Sequence, residues 1–353
     1  MPPRIVDGST ATDRPTAAPA PVRHVSLPTP QVAVADRSPR LWALWAASRP
    51  SQVALVLLVY LLGAGMALAG GPLAVESGAT AGTVGTSAAG PLAPDVLSTI
   101  AVGAIALLPV TVSIHYANEY ADVDTDALAD RTPFSGGSGA LVVTSLPRAF
   151  LGRALGASLV GSVVVMVAVL VTGALPGRAV GLLVAALLVG LAYSLQPIAL
   201  IRRGVGEVVN ATLGGILLPV YGVAVLAPPT HAAWLAVVPF ALVVGCNLLA
   251  VHWPDREADA AVGKRTLAVR WSPLGLRRAY AVLAVAAVGS AAGLRHVGVF
   301  PDAVAAAHLA PLPFLVWGGA VLTRQRSPLP SVLAMAVLAG TATLAWWWVA
   351  VGA

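Results

Sequence analysis

The chain has 353 residues, of which 58% are hydrophobic and only 10% are charged, with 21 basic and 15 acidic side chains. This composition excludes an ordinary soluble domain, in which about a quarter of the residues are charged, and it indicates a polytopic membrane protein. The net charge of +6 does not point to nucleic acid, because the basic residues lie in short loops between apolar runs. A single cysteine, Cys246, excludes an intramolecular disulfide and any multi-cysteine metal site.

The first 40 residues are rich in proline and show no sustained apolar periodicity. Such a composition cannot bury enough apolar surface to fold, so residues 1–40 are expected to form a disordered tail. The tail lacks the apolar run of a signal peptide, which predicts that the first membrane helix is retained. Residues 41–353 are expected to form one membrane domain.

Nine apolar segments follow, each close to the roughly 20 residues that a helix needs to cross a bilayer. They lie near residues 51–70, 95–117, 149–173, 179–197, 208–227, 232–252, 278–294, 305–322 and 331–351. The expected fold is therefore all-α, with nine transmembrane helices around a central cavity that opens to the cytoplasmic side.

The basic residues predict the orientation of this bundle. All but two of the 21 lysines and arginines fall in the N-terminal tail or in the even-numbered loops, and the exceptions are Arg178 and Arg295. Basic residues are enriched in cytoplasmic loops, so the N-terminus is predicted to be cytoplasmic in the plasma membrane. Because the number of crossings is odd, the C-terminus is predicted to lie outside.

Acidic residues cluster in two short stretches, after the second and after the sixth predicted helix. Asn118, Asp122 and Asp126 are spaced by four, so they share one face if the second helix continues. Asp255 and Asp259 repeat this spacing on the sixth. Carboxylate and amide oxygens suit Mg²⁺, which binds through one or two carboxylates plus substrate phosphates. These five residues are predicted to hold Mg²⁺ and to clamp a diphosphate between two facing helices.

Other groups on the same side complete the predicted diphosphate site. Lys264, Arg131 and Arg202 are candidate bases that neutralise the phosphates. The glycine-rich segment 135–139 offers backbone N–H groups in a loop that can close over them. Tyr193 lies near the site, where the face of its ring can stabilise a positive charge.

The two motifs also carry a resemblance to a known family. The chain resembles the UbiA superfamily of intramembrane prenyltransferases over about residues 41–353, on the Asn118 to Asp126 motif, the Asp255 to Asp259 motif, the nine crossings and Ser48-Arg49-Pro50. The resemblance implies Mg²⁺-dependent transfer of a prenyl group from an isoprenoid diphosphate to an aromatic or other acceptor. It implies Asp122, Asp126, Asp255 and Asp259 as catalytic residues.

Three short stretches resemble one branch of this superfamily most, the dihydroxynaphthoate prenyltransferases of menaquinone synthesis. These stretches are Tyr193-Ser194, Arg202 to Glu207 and Asp255 to Arg270. The segment that starts at Arg131 lacks the Arg-Pro-Leu that follows the first motif in hydroxybenzoate-type members. This resemblance implies a polyprenyl diphosphate donor and a dihydroxynaphthoate-like acceptor. The substrate-binding residues are then expected to be Asn118, Lys264, Arg131, Arg202, Arg49 and Tyr193, with Arg49 or Arg202 pairing with the acceptor carboxylate.

Several alternatives remain open at this stage. Glu207 suits the positive end of a helix dipole, but if it faces the cavity it can contact the acceptor. His115 and His252 precede the acidic clusters by one turn, either as hydrogen-bonding residues at the interface or as groups that orient a ligand. A membrane terpene cyclase would use the same metal clamp on the diphosphate alone. A cation-coupled transporter would place its acids near the midplane, often in repeated halves.

Overall fold

The computed structural model describes residues 38–70, 90, 92–129, 134 and 136–352. Over these ranges the chain is helical without β-strands, and nine helices are long and apolar enough to cross a membrane. The all-α fold with nine crossings is thereby confirmed. Residues 1–37 of the predicted tail, and Arg131 of the predicted site, lie outside the described residues.

The α-helices are α1 (Pro39–Ala47), α2 (Pro50–Ala69), α3 (Pro94–Asp126), α4 (Ala140–Thr144), α5 (Arg148–Val171), α6 (Gly177–Ser194), α7 (Gly206–Thr212), α8 (Leu218–Leu226), α9 (His231–Ala236), α10 (Val238–Val251), α11 (Arg256–Ala261), α12 (Leu267–Arg270), α13 (Pro273–His296), α14 (Asp302–Ala307), α15 (Leu312–Val321) and α16 (Leu329–Gly352). A 3₁₀ turn at Leu200–Arg203 precedes α7, and a π-helical stretch at Leu213–Leu217 joins α7 to α8. Each of the predicted apolar segments falls on one of the nine crossings.

The first crossing has a break that the sequence analysis did not predict. Arg49 adopts the left-handed conformation with φ 52°, and Pro50 then begins α2. The short helix α1 precedes the break and buries Trp42 against the segment after α3. The break therefore places the Arg49 side chain at the end of the bundle where α3 finishes, because α2 and α3 run in opposite directions.

The second crossing is longer than the predicted 95–117. Helix α3 continues to Asp126, which adds about nine residues or two and a half turns. The condition on which the first acidic motif depended is thus met. Asn118, Asp122 and Asp126 lie one turn apart on a continuous helix that projects beyond the apolar part of the crossing.

The second motif lies after the sixth crossing, beyond the predicted segment 232–252, but the expectation that it continues the same helix was wrong. Helix α10 ends at Val251, and Asp255 occupies the N-cap position of the separate short helix α11. The spacing of four still brings Asp255 and Asp259 together, since the Asp259 N–H donates to the Asp255 carbonyl oxygen at 2.8 Å. Helix α11 packs against α3, so a short helix delivers the second motif to the first.

Small residues allow the crossings to approach closely. A side chain at Gly63 on α2 would collide with the backbone of Pro219 and Gly222 on α8, which explains the absence of a Cβ there. Helix α5, by contrast, exposes a run of valines, including Val160, Val164 and Val171. A soluble protein rarely exposes such a continuous apolar face, whereas a bilayer provides its solvent.

Candidate active site

The first motif forms a polar stripe at the end of α3. Asn118 donates a hydrogen bond through Nδ2 to Asp122 Oδ2 at 3.2 Å, and a second one to Ser194 Oγ at 3.4 Å. Ser194 is the last residue of α6, so the stripe faces the neighbouring crossing rather than solvent. Asp124 lies off this face: its side chain is 74% exposed and pairs with Arg148 at 3.5 Å. The helical spacing thus separates ligand candidates from a solvated acid.

Lys264 joins the two acidic motifs. Its Nζ lies 2.9 Å from Asp122 Oδ1 and 3.3 Å from Asp259 Oδ1, and the side chain is only 7% exposed. Burial alone would lower the pKa of Lys264, but the carboxylates of Asp122 and Asp259 outweigh it and raise the pKa. The ammonium group is therefore charged, and it lies between two of the predicted metal ligands.

Asp255 presents one satisfied and one unsatisfied oxygen. The Gly136 backbone N–H donates to Asp255 Oδ2 at 3.0 Å, while Oδ1 is buried with no hydrogen-bond partner within the described part of the chain. Burial raises the pKa of Asp255 to about 6, against the opposing effect of the Gly136 hydrogen bond. A buried oxygen without a partner costs about 1–3 kcal/mol, so this atom is suited to receive a ligand.

The glycine-rich segment connects the second motif to α3. While Gly136 binds Asp255, Ser138 binds Glu119 through its backbone N–H, at 2.9 Å to Oε1, and through its hydroxyl, which donates to Oε2. This segment therefore bridges Asp255 of the second motif and Glu119 of α3. Gly137 has φ +68°, and a Cβ at this position would collide with the Asp126 carboxylate, so both its backbone conformation and the close approach require glycine.

Arg49 is held by a buried acid. Its Nε and Nη2 lie 2.7 Å and 2.6 Å from Glu119 Oε1, and Glu119 is 3% exposed. Of the two arginines predicted as alternative partners of the acceptor carboxylate, Arg49 makes a short ion pair within the chain. Arg202 donates to the Val262 carbonyl oxygen at 2.5 Å, between the second motif and Lys264. The role of Glu119 was missed, because its partners are distant in sequence.

Glu207 and His252 form a second buried pair beside the motifs. His252 Nδ1 lies 3.0 Å from Glu207 Oε1, and the Leu267 backbone N–H donates to the same oxygen at 2.6 Å. Burial alone would lower the pKa of His252, but the hydrogen bond and the charge of Glu207 raise it. The Tyr193 ring lies beside Gly206, the residue before Glu207, since a Cβ at Gly206 would come within 3.4 Å of Tyr193 Cε2. The pairing itself gave no sequence signal, because 45 residues separate the partners.

The donor set fits Mg²⁺ bound together with phosphates. Among the residues that the structure describes, no three acidic, histidine or cysteine side chains converge as a ready-made cage. Mg²⁺ does not require one, since it is commonly held by one or two carboxylates and completes its octahedron with waters and substrate phosphates. The carboxylates of Asp122, Asp126 and Asp259 and the unpaired Asp255 Oδ1 supply such ligands from two sides.

Comparison with known proteins agrees with this fold. The profile of the UbiA prenyltransferase family matches residues 78–339, and the chain belongs to this family. It is a multi-pass membrane enzyme of the prenyltransferase class. No curated protein matches the chain by sequence.

Solved structures share the fold at low sequence identity. A digeranylgeranylglyceryl phosphate synthase superimposes with a TM-score of 0.58 at 12% identity, over 89% of this chain and 99% of that one. A UbiA homologue from Archaeoglobus fulgidus bound to GPP and Mg²⁺ gives a TM-score of 0.58 at 15% identity, with 87% and 99% covered. The same homologue bound to DMAPP and Mg²⁺ gives 0.56 at 15% identity, with 86% and 98% covered.

Proposed function

We propose that this enzyme transfers a prenyl group from a polyprenyl diphosphate to a dihydroxynaphthoate-like aromatic acceptor in the membrane, with Mg²⁺ as its cofactor. The carrying observation is Lys264, whose buried ammonium joins the acidic motif of α3 to that of α11. A cluster of carboxylates around a buried cation is the arrangement expected where metal ions and phosphates meet. The homologue structures that hold a prenyl diphosphate and Mg²⁺ support the donor class.

The proposed roles follow from the positions of the side chains. Mg²⁺ would be held by Asn118, Asp122, Asp126, Asp255 and Asp259, and when bound it would neutralise charge on the departing diphosphate. Lys264 stabilises the same developing charge, and Arg202, with Arg131 as a further candidate, adds positive charge at the mouth. Tyr193 precedes Ser194, which contacts Asn118, and its aromatic ring is the proposed group for stabilising an allylic cation.

Burial of these groups supports a reaction that must exclude water. The Lys264 and Asp259 side chains are both buried and form an ion pair, and residues 136–138 contact the neighbouring Asp255 and Glu119. Water would quench an allylic cation before an aromatic ring could attack it. A site at the end of membrane helices also suits the substrates, because the donor tail and the product are both lipids.

The proposed acceptor rests on the residues around Tyr193, Glu207 and Asp255 that resemble naphthoate-using members. A bicyclic dihydroxynaphthoate offers a larger stacking surface and a more electron-rich carbon than hydroxybenzoate does. The ring carbon attacks C1 of the prenyl group, the bond from C1 to the diphosphate oxygen breaks, and the ring then loses a proton and becomes aromatic again. Arg202 remains the candidate partner for the acceptor carboxylate, since Arg49 is paired with Glu119.

The proposed orientation places the site on the cytoplasmic side, with the N-terminus cytoplasmic and the C-terminus outside. Arg49, both acidic motifs and Lys264 lie at one end of the bundle, as their mutual contacts require. Arg178, at the start of α6, and Arg295, near the end of α13, lie at the other end. The asymmetry of basic residues supports this assignment.

A side-by-side product assay tests the proposal. The purified protein, given Mg²⁺ and prenyl diphosphates of several lengths, is incubated with 1,4-dihydroxy-2-naphthoate or 4-hydroxybenzoate, and lipid products are identified by mass spectrometry. Faster prenylation of the naphthoate is expected, and preference for hydroxybenzoate would refute the proposed acceptor. A cyclic product formed from the donor alone would indicate a terpene cyclase. Uptake in proteoliposomes without turnover of diphosphate would contradict the enzymatic role.

A further inference from the structure

Glu207 is more deeply buried than a helix-terminal acid needs to be. It is 4% exposed, and its Oε1 receives two contacts, from the Leu267 N–H at 2.6 Å and from His252 Nδ1 at 3.0 Å. Both contacts hold the carboxylate in one orientation from two different segments, the start of α12 and the residue after α10. One oxygen of Glu207 is thus fully accounted for by the fold.

The other oxygen is not. Glu207 Oε2 is buried and has no hydrogen-bond partner within the described residues, and the same holds for the hydroxyl of Thr266, which directly precedes Leu267. Burying an ionised oxygen away from water without a hydrogen-bond donor costs free energy. A carboxylate with only a structural role would bind donors through both oxygens or expose one of them to solvent. Glu207 Oε2 is therefore a strong hydrogen-bond acceptor that is suited to bind an O–H or N–H group of a ligand.

This oxygen belongs to a carboxylate at the edge of the proposed metal site. The ring of Tyr193 lies beside Gly206, the residue before Glu207, since a Cβ at Gly206 would come within 3.4 Å of Tyr193 Cε2, and the residue after it, Ser194, contacts Asn118. The two groups that hold Glu207 flank the second motif in the chain: His252 lies three residues before Asp255, and Leu267 lies three residues after Lys264. Glu207 is therefore a neighbour of the diphosphate clamp but makes no ion pair with its lysine, and it remains available to the second substrate.

We infer that Glu207 Oε2 accepts a hydrogen bond from a hydroxyl group of the acceptor, while His252 and the Leu267 N–H act as positioning groups that hold the carboxylate. This inference rests on the proposed function. The ligand at this point must be an uncharged O–H donor, because an acceptor carboxylate would be repelled by Glu207. A hydroxy acid therefore binds with a hydroxyl toward Glu207 and its carboxylate turned away. This selects acceptors with a free hydroxyl over their ethers.

Methylation of the acceptor hydroxyls tests this without altering the protein. The two mono-O-methyl ethers of the dihydroxynaphthoate acceptor are compared with the parent compound by KM and kcat on the wild-type enzyme. For one of the two ethers, KM is expected to rise about tenfold or more, because the charge-assisted hydrogen bond is lost. If both ethers are used as well as the parent, the inference is overturned, whether or not any variant folds.

The variant Glu207→Gln then assigns the effect to this side chain. Glutamine keeps an oxygen for Leu267 and His252 but places an NH₂ group where Oε2 lies, so the ligand site changes from acceptor to donor. We expect a rise of about tenfold in KM for the hydroxyl acceptor, donor KM within twofold, and a parent-to-ether ratio near one. A parent-to-ether ratio equal to that of the wild type, or an equal rise in KM for the prenyl donor and the acceptor, would indicate that Glu207 has a structural role only. Glu257→Gln is the matched control, since Glu257 is 68% exposed and pairs with Arg256.

Failure of the inference is distinguishable from failure of the proposed function. If the wild-type enzyme releases no diphosphate from any prenyl donor in the presence of Mg²⁺, the proposed function fails. If it prenylates the hydroxyl acceptor, and Glu207→Gln leaves both the acceptor KM and the ether ratio unchanged, only the role of Glu207 is refuted.

Discussion

Lys264 Nζ lies 2.9 Å from Asp122 Oδ1 and so connects the loop after the sixth crossing with the end of the second. A second contact, to Asp259 at 3.3 Å, makes the same ammonium group the link between both acidic motifs. Because the lysine is buried, neither carboxylate can exchange it for solvent without cost. The geometry that brings donor diphosphate, metal and leaving-group charge together thus depends on contacts between distant segments.

Neutralising Asp122 is expected to reduce Mg²⁺-dependent diphosphate release by at least about 100-fold, because a ligand that touches both Lys264 and the metal site is lost. Asp122→Asn keeps the shape of the side chain. Asp124→Asn on the same helix is the matched control, since Asp124 faces solvent beside Arg148. Comparison of the two variants by release of inorganic diphosphate checks the prediction, and equal activities would contradict the proposed stripe.

Removal of the ammonium group in Lys264→Met is expected to leave Asp122 and Asp259 as uncompensated buried charges. Breaking such a buried pair costs about 3–5 kcal/mol, so the metal-free protein should lose thermal stability. Mg²⁺ should then raise the melting temperature of this variant more than that of the wild type, while turnover falls. Differential scanning fluorimetry in detergent, with and without Mg²⁺, measures the two changes in melting temperature. Release of inorganic diphosphate measures the turnover. Arg265→Met, at an exposed neighbouring position, should behave like the wild type.

Alanine at Gly137 is expected to lower turnover more than its backbone strain alone explains. The added Cβ would collide with the Asp126 carboxylate and push it off the stripe. Gly173→Ala provides the control, because Gly173 has nearly the same φ, +69°, and open space around it. Both variants carry the cost of a positive φ, so a difference in kcat/KM reports the contact with Asp126. Equal kcat/KM values for the two variants would show that the close contact between Gly137 and Asp126 does not affect turnover.

The Arg49 and Glu119 pair is expected to show strong coupling. Removing either partner leaves a buried charge, so Arg49→Met and Glu119→Gln should each destabilise the protein by about 3–5 kcal/mol. The double variant should lose less than the sum, because no unpaired charge remains. Reversible unfolding in detergent and thermal denaturation give the coupling energy. Simple additivity would mean that the pair is not formed in the folded protein.

The sequence alone determined the class of fold and the first motif. Apolar runs of membrane length fix where helices cross, since a backbone in lipid must satisfy its own hydrogen bonds. The spacing of Asn118, Asp122 and Asp126 is a local helical property, so it survived into the structure once α3 was found to reach Asp126. The end of the sixth crossing was also predicted, but the spacing of four in Asp255 and Asp259 does not reveal that these residues belong to a separate short helix, α11.

Only the tertiary structure decided which groups meet. Gly136 binds Asp255 across 119 residues, Arg49 binds Glu119 across 70, and His252 binds Glu207 across 45. No periodicity records such pairs, because they arise when helices of opposite direction bring their ends to one face of the bundle. From the sequence, Arg49 was one of two candidate partners for the acceptor carboxylate, and Glu207 was either a helix-terminal acid or a contact for the acceptor. The packing of α2 against α3 brings Arg49 to Glu119, and the packing of α7 against α10 brings Glu207 to His252. Burial leaves Asp255 Oδ1 and Glu207 Oε2 without water or a hydrogen-bond donor within the described residues. This desolvation favours a ligand at both oxygens, and it cannot be predicted from the spacing of residues in the sequence.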